Sequence, residues 1–409
     1  SPHALWTSDF IFENKAIFDK LEPVLNYGFE KFQKLASKHH KPDGAEIDEL
    51  IIQAADCASA GFDRQIDNSA DYDDLGRDAY IVKPLVSLFT RVILDSKEYP
   101  SKYHNLGTLE SDAIFPEENV KLNSDEYMRL MQGFNADFKK LPIENATIFF
   151  DALLSLVGKY FWCVPSSTME GYADIPLSDH CITTAAIASS MALCCEETRC
   201  SPKVSNYLLV AGDFSGIQKF IFALSGESNR NVAALLRGRS FMVNMYNNLC
   251  ARLLTDACGL TACNILTTAG GKFQVLLPDT PSIHSKFATV KKQVEKWAFE
   301  NFYGELNLLV TTGTPFSYND FTLQNFQEVL NRCTNELNRE KHRAFSTILM
   351  DENLWIDNRR YPDFQKNRIC PICGKEPGDA GKPGDNCAMY INYGKLLRNN
   401  ECVVIKTAD

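Results

Sequence analysis

Two kinds of hydrophobic pattern alternate along the chain. Short apolar blocks closed by turn formers read as buried strands: Tyr207-Leu-Leu-Val-Ala211, Asn264-Ile-Leu-Thr-Thr268, Phe273-Gln-Val-Leu-Leu277 and Leu306-Asn-Leu-Leu-Val-Thr311. Longer stretches with apolar residues three and four apart read as helices: the run Phe18, Leu21, Leu25, Phe29, Phe32 and Leu35, then residues 145–162, Ala185 to Cys195, and 283–302. Ser178 is expected to cap the helix that holds Ala185 to Cys195, with Asp179 in its first turn. Lys83 to Phe89 reads as a further strand, and 95–125 as a polar loop. Between two of the strands, Ala269-Gly270-Gly271-Lys272 forms a hairpin tip. Over 204–315 the order is strand, helix, strand, strand, helix, strand, a ferredoxin-like βαββαβ arrangement. The fold class expected is therefore α+β and multidomain.

The first of these strands delivers unusual chemistry at its carboxyl end, Gly212-Asp213-Phe214-Ser215-Gly216, where a helix begins. A carboxylate there can hold a metal, the first free amides of the helix can meet an anion, and Gly212 and Gly216 would let a phosphate approach the backbone. Polymerase and cyclase palms use this topology, with acids on the first strand and at the hairpin tip. Here the tip carries Lys272. Two metals bridging phosphates need at least two converging carboxylates, so this sheet is expected to bind nucleotide or support a partner rather than catalyse alone.

The Gly212 to Gln218 motif, the segment Leu236-Arg-Gly-Arg-Ser-Phe241, the Ala269 to Lys272 hairpin and the helix start Ser178-Asp-His-Cys-Ile-Thr-Thr-Ala-Ala186 together resemble the large subunit of type III-A CRISPR effectors, the Csm complex. The resemblance implies a helical HD nuclease domain, here incomplete, then a first palm, then a small cysteine-bearing zinc-knuckle domain. It implies ATP as a ligand, with Asp213, Ser215, Gly216, Gly270, Gly271 and Lys272 on one side of its site. It also implies that the metal-holding acids lie in a second palm that these residues do not include. The partners implied are other Csm subunits, guide and target RNA, and single-stranded DNA. The chain opens inside the HD domain without an initiator Met and stops before the second palm that the resemblance implies, so both ends are read as truncated. The alternative function is a catalytically inactive scaffold of the same kind of complex.

In the amino-terminal third, His3, His39, His40 and Asp56 supply the imidazole and carboxylate ligands that suit a Mn, Mg, Ni or Co nuclease centre. Helical HD phosphohydrolases gather such ligands from separate helices, and the leading His-Asp pair is expected just before Ser1. Without it the site should hold metal weakly. Solvated surface histidines are the other reading of the same residues, and His180 is assigned a packing or hydrogen-bonding role.

Near the other end, Cys370-Pro-Ile-Cys373-Gly374 puts two thiols on one turn at the spacing that tetrahedral zinc requires, with Cys387 as a third ligand. Tyr390 stands where a repeated Cys-x-x-Cys would place a fourth; Cys402 is one substitute, an absent segment another. A redox pair or plain buried cysteines would share the pattern.

The 14 cysteines are scattered through apolar helices rather than spaced as a disulfide framework, which suits a reducing compartment. With no stretch of 18 apolar residues, no membrane span is expected, and the cytoplasm is the expected location. A net charge of -10 argues against unaided wrapping of nucleic acid, leaving RNA contact to other subunits and to local basic points such as Arg237, Arg239, Lys219 and Lys272. The two arginines either touch phosphate or anchor a helix through internal carboxylates. The domains expected are 1–85 (HD), 86–203 (helical connection), 204–315 (first palm) and 316–409 (helix and knuckle).

Overall fold

The structure, a computed structural model, describes residues 2–38, 46–63, 83–92, 100–110, 114–167, 173–225, 231–302, 304–350, 368–378 and 382–400. The chain begins with four helices, α1 (Pro2–Glu13), α2 (Lys15–Leu25), α3 (Phe29–Lys38) and α4 (Ile47–Asp63). Asn26 in the left-handed region (φ 54) ends α2. A two-rung ladder of β1 (Leu85–Val86) and β2 (Tyr103–His104) follows, shorter than the strand expected over 83–89. Then come α5 (Ser124–Phe138), α6 (Ala146–Phe161) and α7 (Leu177–Thr198).

The starts of these helices show local sequence at work. Asn123 and Glu126 form a reciprocal capping box on α5, and the Asn145 side chain accepts from the Ile148 amide on α6. Helix α7 departs from expectation. Pro176 occupies its cap position, and Ser178, already inside the first turn, caps nothing and lies 3.4 Å from Asp179. A proline at the cap presets the extended backbone from which the helix departs, so no side-chain cap is needed.

The central sheet contains β3 (Asn206–Ser215), which leads into α8 (Ile217–Phe222) and α9 (Val232–Ala257). It continues with β4 (Ile265–Ala269), β5 (Lys272–Pro278), α10 (Pro281–Phe302), β6 (Asn307–Val310) and β7 (Thr314–Ser317). The strand order is β4–β5–β3–β6, all neighbours antiparallel, with β7 paired to the start of β3. This is the order that a βαββαβ unit produces when its first and third strands lie at the centre. The extra strand β7 was not foreseen. Its Pro315 sits opposite Leu208 on an outer strand, where a missing amide is tolerated.

Strand β3 is apolar without alternation because both faces are covered. Leu208, Val210 and Phe214 face α9 and α10, packing with Leu235, Leu254, Phe287 and Phe302. Tyr207, Leu209 and Ala211 face the other way, toward Ile51 and Ala55 of α4, Ile187 and Met191 of α7, and Val329 and Cys333 of α11 (Leu323–Lys341). A third core joins α1 and α2 to α5 and α6 through Ile11, Phe18, Leu21, Leu130, Phe134 and Phe138. Burying each large apolar side chain of this kind contributes about 1.5 to 3 kcal/mol. The chain closes with α12 (Ser346–Leu349), the short ladder of β8 (Arg368–Ile369) and β9 (Pro377–Gly378), and α13 (Asp385–Asn399), whose side packs along α9. Among the described residues no helix is long and apolar enough to cross a membrane.

Candidate functional site

The sheet brings the acid-glycine turn and the twin-glycine bend together. Asp213 stands opposite Lys272 in the β3–β5 register, and the Phe214 amide donates to the Gly271 carbonyl at 2.8 Å. Asp213 is 7% exposed and lies on the face shared with α11, where Lys341 Nζ reaches its Oδ2 at 3.3 Å. The carboxylate is thus held by a cation of the protein itself. Ser215 and Lys272 are exposed at the same end of the sheet.

The glycines divide by what surrounds them. A Cβ at Gly212 would lie 2.1 Å from the Phe273 ring, and one at Gly216 (φ +93) would lie 2.2 Å from the Glu305 carbonyl oxygen. One at Gly271 (φ +80) would lie 2.2 Å from Ile217 Cδ1. Packing alone therefore requires glycine at 212 and at 216. Gly270 (φ +60) alone of these faces open space. The helix after Gly216 runs for only 6 residues, so its dipole is small and its amides offer less to an anion than a long helix would.

The hydrogen bonds described for the two arginines run to backbone carbonyls, and Arg239 also reaches a cysteine sulfur. Arg237 donates to the Gly394 carbonyl at 2.6 Å, tying α9 to α13. Arg239, 3% exposed, donates to the carbonyls of Phe220, Ile221 and Ala223, the unsatisfied end of α8, and reaches the Cys387 sulfur at 3.7 Å. Helix anchoring, foreseen through carboxylates, runs through backbone carbonyls.

Around Cys387 the structure assembles Cys370, Cys373, Glu376 and Cys387, whose potential ligand atoms all lie within 4.8 Å of one another. It is the one such group of three or more metal-ligating side chains among the described residues. The Cys-x-x-Cys turn closes through Gly374 N to Cys370 O at 2.9 Å, with Gly374 at φ +69, and Cys370 N bonds Glu376 O at 2.8 Å. Helix α13 brings in Cys387. Glu376 was not foreseen as the fourth donor. Its Oε1 accepts from the Cys387 amide at 3.0 Å and its Oε2 from the Asn386 amide at 3.3 Å, capping the first turn of α13. A Cβ at Gly384 would lie 2.5 Å from Glu376 Cδ, so the carboxylate fills room that only glycine leaves. Each carboxylate oxygen keeps a second lone pair, so amide bonding and metal ligation are compatible, and three sulfurs with one carboxylate suit tetrahedral zinc. Hydrogen bonding from Cys387 pulls the Cys373 thiol down to about 6 against the effect of burial, while the Cys387 thiol is pushed up. Cys402 lies outside the described residues.

A cavity of about 220 Å³ lies beside this group, lined by Phe220, Arg239, Glu305, Lys375 and Tyr390 among others. Ser225 spans the joint, its amide bonded to Ile372 O at 2.8 Å and its hydroxyl to Pro371 O at 2.7 Å. The knuckle is thus fastened to the segment that follows the acid-glycine turn.

The amino-terminal candidates are less connected. His39 and His40 lie outside the described residues, as does the side chain of His3 on α1. Asp56, on α4, has its Oδ1 3.2 Å from His180 Nε2 on α7, and Ser59 Oγ is 3.1 Å from His180 Nδ1. His180 has the hydrogen-bonding place assigned to it, and Asp56 has a protein partner.

Comparison with known proteins agrees with the geometry. Residues 206–356 match the family described as Csm1 subunit domain B. A single-strand-specific deoxyribonuclease Cas10/Csm1 of subtype III-A from Thermococcus onnurineus is 28% identical over 354 residues, 79% of this chain and 42% of that protein. The protein of the same description from Enterococcus italicus is 24% identical over 382 residues, 86% of this chain and 49% of its own length. The chain thus spans less than half of these relatives. Solved Csm1–Csm4 cassettes share the fold: the complex with AMPPNP has a TM-score of 0.64 at 24% identity, covering 88% of this chain and 47% of that one. The complex with cA4 has a TM-score of 0.62 at 23% identity, covering 87% and 47%. A domain match over residues 206–356, the curated relatives and the shared fold agree that the chain is similar to Csm1, the Cas10-type proteins of subtype III-A CRISPR systems.

Proposed function

We propose that this chain is part of the large subunit of a type III-A CRISPR effector, and that the sheet end at β3 and β5 forms one side of an ATP site used for cyclic oligoadenylate synthesis. The observation that carries the reading is the pairing of Asp213 with Lys272 and of Phe214 with Gly271, which sets both glycine-bearing turns at one end of a βαββαβ sheet. The solved cassettes with AMPPNP and with cA4 support it. In this reading Asp213, Ser215, Gly216, Gly270 and Gly271 line the pocket and Lys272 meets phosphate charge. Divalent metal bound there would neutralise phosphate charge, with carboxylates from another part of the effector, while Mn, Mg, Ni or Co would serve the nuclease centre.

The second element of the proposal is a single-strand DNA nuclease centre that draws on His3, His39, His40 and Asp56, supported by the description of the relatives. Cys370, Cys373, Glu376 and Cys387 are read as a structural zinc site that stiffens the segment after the acid-glycine turn. Other Csm subunits, guide RNA and target RNA are the proposed partners, in the cytoplasm.

An inactive scaffold is the competing reading. It is favoured by the ion pair of Asp213 with Lys341 and by the engagement of Asp56 with His180, since both acids already have protein partners. The test is to purify the effector that contains this chain, add matching target RNA with ATP, and look for cyclic products and nicked single-stranded DNA. The enzyme reading expects both, and expects Asp213→Asn to reduce cyclic product alone. Confirmed RNA binding with neither activity leaves the scaffold. Metal analysis expects one zinc per chain, weakened by Glu376→Ala.

A further inference from the structure

Near the end of α7, four and three residues before its last residue Thr198, stand two adjacent cysteines, Cys194 and Cys195, both buried. Arg199, in the left-handed region (φ 57), then turns the chain toward β3 and places Cys200 back against them. The Cys200 sulfur lies 3.8 Å from that of Cys195 and 3.9 Å from that of Cys194. The Ser205 hydroxyl closes the group, 3.6 Å from Cys195 and 3.7 Å from Cys200. Neither the nucleotide reading nor the zinc reading uses any of these residues.

We propose that Cys194, Cys195 and Cys200 form a thiol–disulfide centre, a site of reversible oxidation by hydroperoxides in which Cys200 reacts first and one of the two buried thiols resolves it. The roles follow from position. Cys200 is the partly exposed member, so it is the sulfur that a small oxidant meets first, while the other two are buried. Two sulfurs just under 4 Å apart need to close to a bond of about 2 Å, a movement within reach of a side-chain rotation on the short connection after α7. Burial works against ionisation of Cys200, but hydrogen bonding with its neighbours Thr198, Ser205, Cys195 and Cys194 outweighs it and holds the thiol below its ordinary value. Burial pushes the Cys195 thiol up to about 11, so it stays protonated until it acts as resolving group.

The chemistry balances with the hydroperoxide as sole oxidant. The Cys200 thiolate attacks the terminal oxygen, the O–O bond breaks, and the alkoxide leaves and takes up a proton, giving Cys200 sulfenic acid and an alcohol. The sulfur of Cys194 or Cys195, losing its proton, attacks the sulfenic sulfur, and hydroxide leaves with that proton as water. Two thiols and one hydroperoxide become one disulfide, one alcohol and one water. A small thiol reductant reverses the step by exchange. The product staples the end of α7 to the lead-in of β3.

The test uses the intact chain and hydrogen peroxide, with alkylation of the remaining thiols and digestion by trypsin. Cleavage after Arg199 and Lys203 releases Cys200 on a separate short peptide, so a bond to Cys194 or Cys195 appears as a linked pair that dithiothreitol separates. Cys200 should oxidise at least about tenfold faster than the exposed Cys57, as a low-pKa thiol beside resolving partners does. Cys200→Ser should abolish the link, Cys194→Ser or Cys195→Ser should leave it to the other cysteine, and the double variant should drive Cys200 to sulfinic acid. Serine is close to isosteric, and unchanged circular dichroism shows that the variants fold. Oxidation of Cys200 no faster than that of Cys57, or its passage to sulfinic acid in the unaltered chain without a linked peptide, overturns the proposal.

Discussion

Adjacent glycines at the β4–β5 tip should differ sharply in what an added methyl group costs, because their surroundings differ. Both have positive φ, +60 at Gly270 and +80 at Gly271, so alanine at either carries the left-handed penalty of about 1 to 2 kcal/mol. At Gly270 nothing lies within 4 Å of the new Cβ, so that penalty is the whole cost. At Gly271 the Cβ would meet Ile217 Cδ1 at 2.2 Å, which adds an overpacking cost of about 1 to 3 kcal/mol. The next contacts, Ile217 Cγ1 at 3.5 Å and Phe214 Cβ at 3.6 Å, are ordinary, so the clash belongs to a single methyl. Ile217→Val removes that methyl at its own cost of about 0.5 to 1.5 kcal/mol. The double variant Gly271→Ala with Ile217→Val should therefore be more stable than the sum of the singles by about 1 to 3 kcal/mol. Urea unfolding followed by circular dichroism, with an unchanged dependence on denaturant, measures all four proteins. Additive costs, or a Gly270→Ala variant as unstable as Gly271→Ala, would refute the placement of α8 against the bend.

The contact between α9 and α13 makes a harder prediction: a Cβ at Gly238 would lie 1.9 Å from the Tyr390 carbonyl oxygen and one at Gly394 would lie 1.8 Å from that of Ala234, so either alanine must push the helices apart. A loss of about 2 kcal/mol or more is expected for each, with weaker zinc retention because α13 carries Cys387; an effect below about 0.5 kcal/mol would contradict the packing. Burial holds the His104 imidazole below its ordinary value, and the ring packs edge-on to Trp162 at 5.2 Å. The unfolded chain then binds the proton better, so this contribution is complete above about pH 6.5 and is lost as pH falls from there through the lower folded value. His104→Phe should flatten that part of the stability profile, and an unchanged acid slope would refute the assignment.

Much of the sheet was legible because its signals are local. The run Tyr207 to Ala211, the glycine pair between two apolar blocks and the Cys-x-x-Cys turn are each set by residues a few positions apart. The misses share a cause. Glu376 looks like any loop acid until the β8–β9 ladder and the start of α13 converge on it. Lys341 belongs to Asp213 only because α11 covers the second face of the sheet, and His180 meets Asp56 only because α7 packs along α4. Gly212 and Gly216 suggested room for phosphate, yet a ring and a carbonyl distant in sequence already require glycine at both.

The order of strands and helices from β3 to β6, the hairpin and the first two knuckle thiols were thus determined by sequence alone, since backbone propensity and apolar period act over a few residues. Which polar groups neutralise one another and which glycines are crowded were decided by tertiary structure. Those depend on distances between elements far apart in the chain, which the covering of both faces of β3 and the packing of α13 along α9 set.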